Sequence, residues 1–141
     1  MVHALIVTRG LLRPNGILVD LRTDRFAATR ARQDQVVCLT GNRRRYAGPL
    51  EIRRPLADFR CADRAIREVV RRGLFRLDAV EVFERRAYLD SPAHLEKAMA
   101  GQRYARLTDP TRRRLRALWR RQSGAQVLVV SRERMNVLVR T

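Results

Sequence analysis

The run from Leu11 to Leu21, Leu-Leu-Arg-Pro-Asn-Gly-Ile-Leu-Val-Asp-Leu, spells a helix end, a tight turn and an apolar strand in immediate succession. Leu5, Leu11 and Leu12, with Ile6 and Val7 between, fit one face of a short helix that Pro14 cannot continue. Asn15-Gly16 supplies the positive-φ positions that a reversal needs. Ile17 to Leu21 then reads as a strand covered on both sides, the parallel-type strand of an α/β sheet. This is how the middle of an α/β fold reads. Met1 to Gly10 is too short for the strand and glycine-rich loop that open a nucleotide-binding fold of this class, so the chain reads as the second half of one.

The remaining pattern is mixed. Arg22 to Gln35 is polar without periodicity and reads as loop. Val36 to Thr40 and Leu50 to Ile52 flank the run Gly41 to Pro49, which predicts a β-hairpin with a basic tip, inserted at about 36–52 rather than part of the core. Asp63 is placed to cap a helix running to about Arg72 and ended by Gly73, with Ala62, Ile66, Val69 and Val70 as its buried stripe and Arg64, Arg67 and Arg71 opposite. Phe75 to Leu89 is a long β segment whose apolar alternation shifts phase at Val82-Phe83. Ser91-Pro92 and Asp109-Pro110 each read as an N-cap followed by proline in the first turn. The first of these helices ends near Gly101. The second turns Leu115, Leu118 and Trp119 inward and Arg113, Arg116 and Arg120 outward. Gln126 to Val130 is a buried strand, and Met135 to Val139 either extends it past a bend or returns as its hairpin partner. No linker or internal repeat divides the chain, which predicts a single domain over 1–141.

Charge keeps certain partners in view. The 141 residues carry 31 basic and 14 acidic side chains, a formal charge of +17, and every basic residue but Lys97 is arginine. Such a charge attracts polyanions, nucleic acid among them. The arginines are also spread along the chain as solvated faces are, and their near-monopoly over lysine is what a genomic base-composition bias produces. Cys38 and Cys61 lack metal-ligand spacing, with only His3 and His94 to join them, so no metal site is expected; the thiols are expected in or near the core of a cytoplasmic protein. No apolar run is long enough to span a membrane, and membrane is not among the expected partners.

Helix, Leu12-Arg13-Pro14-Asn15-Gly16 turn, strand Ile17 to Asp20, connecting segment, helix, long strand and final strand resemble the C-terminal half of class I S-adenosylmethionine-dependent methyltransferases. In that family a helix ending in Leu-x-Pro-Gly-Gly feeds the fifth strand, and an antiparallel strand pair closes the sheet. Asn15 stands here for the first glycine of the pair, a substitution that the left-handed region tolerates. The helix after Asp63, the step Gly73-Leu74-Phe75 and the run Tyr88-Leu89-Asp90-Ser91-Pro92 extend the likeness. The resemblance implies a Rossmann-like α/β half-fold: one parallel-type strand, an inserted hairpin, helices and terminal antiparallel strands. It also implies what is missing. The family's cofactor site uses a glycine-rich loop after the first strand and an acidic residue after the second, and none of the seven glycines here forms Gly-x-Gly. The isolated chain is thus expected to bind no cofactor and to be inactive alone, S-adenosylmethionine entering only with the other half. The acceptor-facing edge remains, with a homodimer partner or a chain supplying the missing half to cover the incomplete sheet.

Asp20, Arg22 and Thr23 fall at the C-terminal end of the first strand, where open α/β sheets hold their ligands, and Tyr88 and His94 are further substrate-side candidates. The plainer reading makes Asp20 locally hydrogen-bonded, Arg22 and Thr23 the start of a solvated loop, and His94 a surface or capping residue. Arg43, Arg44 and Arg45 beside Tyr46, and Arg113, Arg116 and Arg120 on the last helix, are the candidates for nucleic acid. A basic loop grips phosphates while an aromatic ring stacks a base. On the helix, arginine stems also shield Leu115 and Trp119 while their heads stay in water. No catalytic grouping is legible. An alternative function is a basic nucleic-acid-binding or ribosome-associated module; another is a non-catalytic remnant or partner subunit.

Overall fold

The computed structural model describes residues 1–24, 34–52, 56–102 and 105–141. Most of the segment read as loop, residues 25–33, lies outside them. The elements in chain order are α1 (Val2–Leu11), β1 (Ile17–Thr23), β2 (Gln35–Thr40), β3 (Arg43–Ile52), α2 (Leu56–Arg71), β4 (Phe75–Leu89), α3 (Pro92–Ala100), β5 (Ala105–Leu107), α4 (Asp109–Arg120) and β6 (Gln126–Arg140). The fold is mixed α/β, with an antiparallel sheet in which strand pairing follows β1-β6-β2-β3-β5 and β4 also pairs with β6. The parallel-type reading of Ile17 to Leu21 is therefore corrected: β1 is a terminal strand whose partner β6 runs antiparallel to it, Ile17 opposite Val139 and Leu21 opposite Met135. Met135 to Val139 extends Gln126 to Val130 as one strand.

The chain groups into two compact units, one of Met1–Arg25, Pro55–Phe83 and Glu133–Thr141, the other of Phe26–Arg54 and Glu84–Arg132. The phase shift at Val82-Phe83 falls where β4 passes from the first unit to the second.

In the first unit, Arg13 to Gly16 forms a reversal closed by the Gly16 N–H donating to the Arg13 carbonyl at 2.8 Å. Asn15 alone takes positive φ, 60°. Gly16 is required for a different reason: a Cβ there would meet the Arg13 carbonyl oxygen at 2.7 Å. Helix α2 begins earlier than its sequence suggests and places Asp63 mid-helix, so that residue is not a cap. Gly73 ends α2 at φ 66°, its N–H bonded to Val70 and that of Leu74 to Val69, the paired bonds of a Schellman stop. Ile66, Val69, Phe75 and Leu138 form the core, with Val2, Leu5, Leu12 and Leu18 packed against it. Leu11 points outward at 83% exposure, because Leu5 and Leu12 set the inward face of this end.

Only one face of β1 meets that core. Leu18, opposite Leu138, points into it, whereas Ile17, Val19 and Leu21 on the other face remain more than half exposed. The expectation of a strand covered on both sides is thus overturned. Helices α1 and α2 supply the Leu18 side, and among the described residues nothing buries the other.

In the second unit, β2 and β3 form the expected hairpin, but as part of the core rather than as an insertion: β2 also pairs with β6, and Val36, Cys38, Ala47 and Leu50 are buried. Thr40 pairs with Arg43 across Gly41-Asn42, and Gly41 at φ 53° gives the positive φ at the first turn position. Val36, Cys38, Val127 and Leu115 are fully buried in a core that also contains Leu95 and Leu107. Helix α4 is seated by its first turn. Thr108 caps it, accepting from the Thr111 N–H at 3.4 Å, so the cap lies one residue ahead of Asp109; the Asp109 carboxylate instead meets Arg112 at 2.7 Å. The Thr111 hydroxyl donates to the Pro49 carbonyl at 3.0 Å. Gly48 permits this approach, since a Cβ would lie 2.2 Å from the Thr111 Oγ1. Ser91 caps α3 as expected.

Candidate functional site

At the far end of β1, alternation continues but chemistry changes. Asp20 and Arg22 follow Leu18 on the α2-facing side, and their β6 partners Asn136 and Arg134 follow Leu138. The Asp20 carboxylate accepts from the Asn136 amide at 2.7 Å and pairs with the Arg22 Nε at 3.1 Å. Arg22 also binds Asp63 and donates to the Phe59 carbonyl at 3.3 Å. Arg134 donates through Nε to the Asn136 side-chain Oδ1 at 3.2 Å, and Asn136 is 2% exposed. One guanidinium, largely withdrawn from water, thus ties β1 to α2 between two carboxylates. Charge-assisted bonds of this kind are the strong ones in a protein, and each carboxylate here holds the Arg22 guanidinium through one oxygen.

Of the substrate-side candidates, Asp20 and Arg22 meet directly, and Thr23 closes the strand opposite Glu133. Tyr88 and His94 belong to the second unit, where both are exposed. The His94 Nδ1 lies 3.6 Å from the Asp90 carboxylate. Its backbone N–H donates to the Ser91 cap. Asp63, read from the sequence as a helix cap, completes the polar cluster with Arg134 and Asn136, which the sequence did not single out. The signal is a polar residue in phase with a buried apolar one: Asp20 two after Leu18, Asn136 two before Leu138.

The basic candidates divide. Glu96 on α3 receives Arg116 through two bonds, 3.1 and 2.7 Å, and lies 3.7 Å from Arg112, so these two arginines of α4 are matched. Arg113, Arg120 and Arg121 are exposed and have no acidic partner among the described residues; the same holds for Arg43, Arg44 and Arg45. Helix α4 is anchored to Pro49 through its first turn, and two residues beyond its end the Gln122 side-chain oxygen accepts from the Thr40 hydroxyl. Thr40 is the cross-strand partner of Arg43, and Gln122 follows Arg121. The hairpin tip and the end of α4, separate in sequence, therefore share one end of the second unit. Tyr46, 45% exposed, stands beside them on β3.

The thiols differ in kind. Burial pushes Cys38 above its ordinary pKa, outweighing the nearby positive charge of Arg45, whereas Cys61 is exposed on α2, not in the core. Among the described residues no group of three or more histidine, cysteine or acidic side chains is arranged to hold a metal ion, and no helix is long and apolar enough to cross a membrane. No family model, curated protein or solved structure matches this chain.

Proposed function

We propose that the chain is a methyltransferase-like half-fold that supplies the acceptor-facing side, and that the S-adenosylmethionine-binding half is provided by further polypeptide, whether covalently continuous with it or not. The observation that carries this reading is the uncovered side of β1. Ile17, Val19 and Leu21, in register with Val139, Val137 and Met135, make a six-residue apolar face on a terminal strand. The face that an antiparallel sheet leaves to water is ordinarily polar, so an apolar face like this asks for a second layer. The element order agrees: α1, the Arg13 to Gly16 turn, β1, α2, then β4 and β6 as an antiparallel pair. That is the order the methyltransferase resemblance implies.

The residues present do not make a cofactor cradle. Asp20, the carboxylate nearest the end of β1, already accepts from Asn136 and Arg22 through its Oδ2, and no Gly-x-Gly turn occurs in the sequence to bring backbone against a cofactor. The chain's own contribution would be the rigid polar end of β1 and the edge that the other half completes. Calorimetric titration of this chain with S-adenosylmethionine should show no saturable binding tighter than about 10 μM, or roughly 7 kcal/mol. Tighter binding would overturn the half-fold reading. Coding sequence in frame upstream of the Met1 codon should encode an apolar strand followed by Gly-x-Gly, and the extended polypeptide should bind the cofactor. A frame closed by stop codons, with no such segment in a neighbouring gene, would also count against it.

A further inference from the structure

We infer that the end of the second unit formed by the β2–β3 tip and the C-terminus of α4 binds the phosphate backbone of nucleic acid. The inference rests on that unit alone. It carries 19 basic and 6 acidic residues, +13 of the chain's +17. Its described ion pairs are unevenly placed. Glu96 and Asp109 engage Arg112 and Arg116 on α4, Glu84 engages Arg86, and Asp90 faces His94. None of these acids reaches Arg43, Arg44, Arg45, Arg120 or Arg121.

The fold brings the two segments that carry these five arginines to one end of the unit: the Thr40–Gln122 bond holds the tip against the end of α4, and the Thr111–Pro49 bond fixes the other end of the helix. Five cations on two rigid elements match a row of phosphates, which guanidinium groups bind through paired N–H donors. Cross-strand alternation puts Arg43 and Arg45 on one side of the tip and Arg44 and Tyr46 on the other. The exposed Tyr46 ring is a platform on which a base of any identity can stack. No element is shaped to read base edges, so binding is sequence-tolerant and its affinity comes from counterion release.

The test measures fluorescence anisotropy of a labelled 20-base-pair duplex and of a 20-nucleotide single strand with the whole chain, across a salt series. Replacing Arg43, Arg44 and Arg45 by alanine should lower the slope of log affinity against log salt by about 2 to 3 on the duplex, at about 0.9 per phosphate contact. Between 50 and 200 mM salt this amounts to roughly a 40-fold smaller loss of affinity. Arg120→Ala with Arg121→Ala should lower the slope by up to about 2. Arg116→Ala, which removes a cation already held by Glu96, should leave it unchanged, as should Arg64→Ala with Arg67→Ala in the first unit. Tyr46→Ala should weaken the single strand more than the duplex. An unchanged slope in the tip variant, with circular dichroism showing an intact fold, would overturn the proposal. So would an equal fall in every variant, which marks diffuse charge, or binding to polyglutamate with none to either oligonucleotide, which marks an acidic protein as the partner.

Discussion

The two units solve opposite surface problems. The first carries 12 basic and 8 acidic residues, close to balance, and leaves the apolar face of β1 in water. The second buries its apolar residues around Leu115 and Val127 but leaves most of the chain's positive charge unmatched. Charge in the first is used internally, with Arg22 between Asp20 and Asp63, whereas in the second Arg43, Arg44, Arg45, Arg120 and Arg121 stand exposed at one end without an acidic partner among the described residues. An exposed apolar face is relieved by a complementary polypeptide surface and an unmatched cationic end by a polyanion. One chain can therefore carry two different interaction surfaces without either being built from the other's residues.

The largest test of this division concerns the cores. Leu115→Ala in the second unit and Leu138→Ala in the first each remove a side chain with no exposure, and each should cost about 2–5 kcal/mol in urea denaturation. Hydrogen exchange should show Leu115→Ala releasing amides of β2, β3 and α4 first, and Leu138→Ala those of β1 and α2. Uniform loss of protection in both variants would mean that the units unfold as one, and the comparison would fail.

A smaller effect separates internal from displayed charge. Arg22→Met should destabilise by about 1–3 kcal/mol, since it strips two largely withdrawn carboxylates of their shared donor. Arg116→Met, whose guanidinium is half exposed on Glu96, should cost less than about 1 kcal/mol. Equal costs would show that the Asp20–Arg22–Asp63 cluster is no more structural than a surface pair.

The smallest effect is a titration. Hydrogen bonds from Arg71 and Arg72 hold the Glu68 carboxyl down to about 2, from an ordinary 4.5. A depressed carboxyl stabilises the fold above its unfolded pKa, and that contribution is lost as pH falls from 4.5 through about 2. Glu68→Gln should flatten this part of the acid stability profile, and carbon-detected NMR should place the wild-type midpoint near 2. A midpoint near 4.5 would mean that the Glu68 pairs on α2 do not persist in solution.

Local chemistry by itself determined the punctuation of this chain. Pro14 and Asn15 fix the first reversal, Gly73 stops α2, Ser91-Pro92 starts α3, and the apolar run of Phe75 to Leu89 matches β4 at both ends. These features depend on φ preferences and on hydrogen bonds within a few residues, so neighbouring residues are enough to specify them. Tertiary structure decided the rest. Whether Ile17, Val19 and Leu21 are covered depends on which layers exist, and an apolar strand looks the same with one or two. Asp63 resembles a cap until Arg22, 41 residues away, claims its carboxylate. The basic tip and the end of α4 become one surface only because Thr40 meets Gln122 across 82 residues. Contacts at such separations are selected by packing, which no local pattern encodes.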